Sequence, residues 1–136
     1  MESWFQAAVL SLLLYGLWGF FPKLAVQYIS PQSALVYEVA GGLLVGVWGL
    51  QLTGFRPDLH PVGILFAALT GVTGMLGTLF YFRAAQQGQI SVLVAMTALY
   101  PLVTITLAAL FLQEPLTGRQ VAGLLCALLA LVLLAF

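Results

Sequence analysis

The chain has 136 residues, 62% of them apolar and 6% charged, with a formal net charge of zero and a mean hydropathy of +1.11. Soluble domains carry roughly 25% charge, so this chain cannot cover a water-facing surface and reads as an all-α integral membrane protein. The neutral balance argues against a nucleic-acid partner, and the single cysteine, Cys126, excludes an intrachain disulfide.

Five apolar segments follow in order. The first runs from about Trp4 to Val26. Its opening has no basic region and no small-x-small site before Pro22 and Lys23, so the sequence predicts a retained first helix rather than a cleaved signal. Ser30 as N-cap and Pro31 at the first helical position then open a second helix, which extends to about Leu52. Thr53 to His60 is an aqueous loop. His60 caps a third helix that starts at Pro61 and reaches about Ala85. Gln86 to Gln89 turn the chain into Ser91–Leu112, an uncharged run long enough to cross a bilayer core, which takes about 20 residues.

Pro101 sits near the middle of that fourth span. It removes a backbone donor and crowds the Thr97 carbonyl. In hydrocarbon a freed carbonyl needs another partner, so the expected bend belongs beside other helices or a wet cavity. Pro101 is the candidate hinge. Gln113, Glu114 and Pro115 end the span. Thr117-x-x-Gln120 fits a capping box opening a fifth helix, Gly118–Phe136. Glu114 is expected to pair with Arg119 or to cap that helix. The whole, residues 1–136, reads as one transmembrane domain with no internal repeat.

Small residues mark packing faces: Gly42 and Gly46 in the second helix, and Ala67, Gly71, Gly74 and Thr78 in the third. Thr70, Thr73 and Thr78 would add hydrogen-bonding capacity to a cavity wall. Five spans put Arg56 and Arg119 on one side and Lys23 and Arg83 on the other. Two basic side chains per side give no orientation bias. A chain without bias can insert both ways, and two oppositely inserted copies would make an inverted-repeat dimer.

Glu38 is the charge to watch. It lies about seven residues into the second helix, and a carboxylate there should face protein or water. It could bind a cationic substrate or a proton. It could equally pair with Lys23 across the hairpin, or lie at the membrane surface. Arg83 either snorkels to the headgroups or serves as a pocket cation near Glu38. Trp18, Tyr15, Tyr81 and Tyr100 offer aromatic walls suited to cationic or planar solutes, or else plain packing. Trp4 and Trp48 fit the interfacial belt. With one histidine, a metal site is not expected, and no enzyme signature or cofactor motif occurs.

Tyr100-Pro101, Glu114-Pro115, Gln120 and Gly123, preceded by Leu17-Trp18-Gly19 and by Gly74 to Ala85, together resemble the EamA domain of the drug/metabolite transporter superfamily. The resemblance covers nearly the whole chain. It implies a five-helix unit that transports small metabolites or drugs, commonly as two such units in opposite orientation, here a homodimer in the cell (inner) membrane. Small multidrug resistance proteins, related but four-helical, carry an acid in their first helix. Glu2 lies outside this one, so that site does not carry over. Two rivals remain at this stage: a membrane subunit that transports nothing, and a half-transporter that needs a different five-helix partner. Dimerisation of the purified chain around a polar cavity would argue against the first. A neighbouring gene for a second unit of opposite charge bias would favour the second.

Overall fold

The computed structural model describes residues 3–113 and 115–135. Every regular element among them is helical: α1 (Ser3–Ala25), α2 (Pro31–Leu52), α3 (Pro61–Gln87), α4 (Ile90–Thr97), α5 (Tyr100–Leu107), a π-helical turn (Ala108–Leu112) and α6 (Gly118–Ala135). They form two compact units, Met1–Gln87 and Gly88–Phe136. Glu114, with its expected pairing to Arg119 or cap of the last helix, lies outside the described residues.

Local chemistry explains most boundaries. In the first unit, Pro22 tightens the last turn of α1, and the Tyr28 and Ile29 N–H groups return to the Ala25 carbonyl at 3.0 and 3.1 Å. Ser30 then caps α2 as expected: its hydroxyl accepts from Ser33 N at 3.3 Å, and Pro31 occupies the first turn, where a missing N–H costs nothing. At the other end, Gly54 takes φ +61°, which glycine adopts freely. The Phe55 N–H thereby reaches the Leu50 carbonyl at 3.0 Å. His60 caps α3, its Nδ1 accepting from Gly63 N at 3.3 Å.

Helix α3 packs on both α1 and α2. The buried residues of this unit gather at one end: Pro22 and Val26, Pro31 and Ala34, and Thr78, Tyr81, Phe82 and Ala85. Most other apolar side chains are exposed. In water that would be ruinous. In lipid it costs little, because tails are as apolar as leucine and close contacts decide helix association. The four runs Trp4–Ala25, Pro31–Leu52, Pro61–Gln87 and Ile90–Leu112 are long and apolar enough to cross a membrane, and α6 is shorter.

The second unit corrects one expectation. The fourth span is not a single bent helix but two, α4 and α5, separated at Ala98 and Leu99. Hydrogen bonds tighten there, with Leu99 N on Met96 O at 3.3 Å and Leu102 N on Leu99 O at 3.0 Å. Pro101 falls in the first turn of α5, so its absent N–H is one that no helix start would use. Thr97 folds its hydroxyl back onto Leu93 O at 2.9 Å and Val94 O at 3.2 Å. A second irregularity, the π turn at Ala108–Leu112, ends at Gln113 in the left-handed conformation. The capping box of α6 forms as expected: Gln120 Oε1 accepts from Thr117 N at 2.8 Å, and Gln120 N approaches Thr117 Oγ1 at 3.4 Å.

Candidate functional site

Three helices of the first unit meet at one polar cluster. Trp18 lies seven residues before the end of α1 and Glu38 seven residues after the start of α2. A hairpin brings equal depths together, and Trp18 Nε1–H donates to Glu38 Oε1 at 2.8 Å. Tyr81 of α3 completes the group. Its ring stands 5.3 Å from that of Trp18 at a 39° tilt, and its hydroxyl donates to Gly19 O at 2.9 Å. Pro22 sits just beyond. It has no N–H to offer the Trp18 carbonyl four residues back.

Of the alternatives the sequence left open for Glu38, the pair with Lys23 is not formed. Lys23 Nζ donates to the Ala85 carbonyl at 2.7 Å, tying α1 to the last turns of α3. Depth explains this: Lys23 lies two residues from the end of α1, about 7.5 Å shallower than Trp18 at 1.5 Å per residue. Glu38 Oε2 is buried and has no hydrogen-bond partner. Arg83 is exposed, with its guanidinium 5.7 Å from the Phe80 ring. Arg83 lies four residues from the end of α3, a helix about 40 Å long.

Trp18, Glu38 and Tyr81 are therefore brought together, with Lys23 one turn nearer the hairpin. Tyr15 is 65% exposed. Tyr100 belongs to the second unit, where it opens α5 and is exposed, with Pro101 beside it. The Thr70 and Thr73 hydroxyls donate to carbonyls of their own helix, Phe66 O at 2.9 Å and Leu69 O at 2.7 Å, which leaves them acceptor capacity only. The backbone acceptors Gly19 O and Ala85 O went unforeseen, since nothing in the side-chain pattern marks them. The Trp18–Glu38 bond also went unforeseen; the equal depth of the two residues in the hairpin is the signal that could have found it.

A groove of about 350 Å³ lies in the second unit, lined by Ile105, Ala108, Ala109, Leu116, Gln120, Gly123 and Leu124. Its only side-chain polar group is Gln120, whose oxygen is already engaged in the α6 cap. It offers no charge recognition, so the Glu38 cluster is the better candidate site. Among the described residues no three metal-ligating side chains converge. The cluster can accept hydrogen bonds and hold a cation against aromatic faces.

Long apolar helices around a sparse, partly buried polar cluster define a multi-pass membrane protein. The EamA-like transporter family matches residues 2–136, and the chain belongs to that family, within the drug/metabolite transporter superfamily. It is also similar to an uncharacterised protein of Methanocaldococcus jannaschii, 26% identical over 132 residues that cover 95% of this chain and 96% of that one. No solved structure matches the chain.

Proposed function

We propose that the chain transports small metabolites or drugs across the cell (inner) membrane by alternating access, as a dimer of five-helix units inserted in opposite orientations. The observation that carries this reading is the family match over residues 2–136. The whole chain then acts as one transmembrane domain whose fifth span is α6. Two further observations support it. Within the first unit, a Cβ added at Gly42, Gly46, Gly71 or Gly74 would meet nothing within 4 Å, so faces suited to close helix contact are left for a second copy. Basic residues balance at two per side, which permits both insertions.

Substrate contacts come from Glu38, Trp18 and Tyr81, with Tyr15 and Tyr100 as further aromatic surface. Lys23 and Arg83 set the charge at the same end of the first unit, and Pro101 marks the hinge. The test is uptake into proteoliposomes holding only the purified chain, screened over amino acids, sugars, nucleobases and organic cations. Saturable uptake of one class is expected. Uptake no faster than empty liposomes across all four classes would contradict the reading.

A further inference from the structure

Glu38 has two oxygens in different situations. Oε1 accepts one hydrogen bond, from a neutral indole at 2.8 Å, and Oε2 is buried with none. An ionised carboxylate has about four acceptor sites, and buried charges persist when paired. Neither cation at this end of the unit pairs with it: Lys23 Nζ is on Ala85 O, and Arg83 lies over Phe80. A carboxylate inside a span without a counter-charge marks a functional position.

We infer that Glu38 takes the ammonium group of an organic amine, with the Trp18 and Tyr81 rings as the wall that receives its organic part. This rests on the transport reading above and names its substrate class. The two rings divide the work. Tyr81 is 7% exposed and its hydroxyl is tied to Gly19 O, so it is fixed. Trp18 is 39% exposed, so its face is reachable, and indole is the best aromatic partner for a cation. The terminal torsion of a glutamate is soft and two-fold. A partial rotation turns Oε2 toward the open face of Trp18 while Oε1 keeps the indole N–H; a full half-turn would only interchange the two oxygens. The site therefore requires N–H donors on the cation and discriminates against quaternary ammonium groups.

The test uses the full chain in nanodiscs with Trp4→Phe and Trp48→Phe, which leaves Trp18 as the only tryptophan. Its fluorescence is titrated with phenethylammonium, phenethyltrimethylammonium and 2-phenylethanol. The expected result is a saturable change with phenethylammonium, and binding about tenfold or more weaker for the other two, the worth of a hydrogen bond to a charged group. Glu38→Gln abolishes it, and Glu38→Asp, which keeps the charge, retains the order of preference if Glu38→Gln fails to fold. Equal responses to amine and alcohol, binding that survives in a folded Glu38→Gln protein, or a signal that follows pH but ignores amine would each overturn the inference. Flux of neutral solutes without amine binding would sink it and spare the transport reading. Amine binding without flux of any solute would do the reverse.

Discussion

At the scale of residues, two hydrogen bonds do different work. The Lys23 ammonium satisfies the carbonyl of Ala85, which has no exposed surface. Lys23→Met keeps the apolar stem and strands that acceptor, at a cost of about 1–3 kcal/mol, so thermal unfolding in detergent should begin at lower temperature. Because Glu38 bonds Trp18 and not Lys23, Glu38→Gln and Lys23→Met should act additively on stability, to within about 0.5 kcal/mol. Glu38→Gln and Trp18→Phe should couple by roughly 0.5–3 kcal/mol. A double-mutant cycle in which Lys23→Met rescued Glu38→Gln would show that the two charges are partners after all. The sequence made Glu38 conspicuous, since few charges lie inside apolar runs. It also offered Lys23 as a partner, because depth counted from the turn at Ile29 puts Lys23 level with Glu38. Counting residues from the ends of α1 and α2 favours Trp18.

At the scale of elements, punctuation residues made most boundaries readable. Ser30-Pro31, His60-Pro61 and Thr117-x-x-Gln120 each form the cap their side chains suggest. Ser30→Ala should destabilise α2 by about 0.5–2 kcal/mol, read as a lower unfolding midpoint. The break between α4 and α5 was half legible. Proline flagged the irregularity, but its backbone suits the first turn of a new helix better than the middle of an old one. The π turn at Ala108–Leu112 had no signal, because its five residues contain neither proline nor glycine. Pro101→Ala restores a donor and should let α4 and α5 merge. We expect an intact dimer with slower flux. Unchanged flux would remove Pro101 from the hinge role.

At the scale of the molecule, the apolar exterior identifies the solvent, and the family match identifies the class. A dimer interface is not legible from helix patterning, which records what faces away from water but not which apolar face meets lipid and which meets protein. Charge balance gives the sharper expectation. A single cysteine placed beside Arg56, after replacement of Cys126, should label from both faces of intact membranes. Two lysines added on one side should then force one orientation. Labelling from one face only would exclude oppositely inserted copies.

Alternating access is tested most directly by counterflow. Proteoliposomes holding only this chain are preloaded with unlabelled solute from the class found by uptake screening, then diluted into a trace of labelled solute. A carrier exposing one site to each side in turn should accumulate label transiently above equilibrium, and faster than unloaded vesicles. Label that enters at the same rate with or without preloading, rising only to equilibrium, would contradict the account.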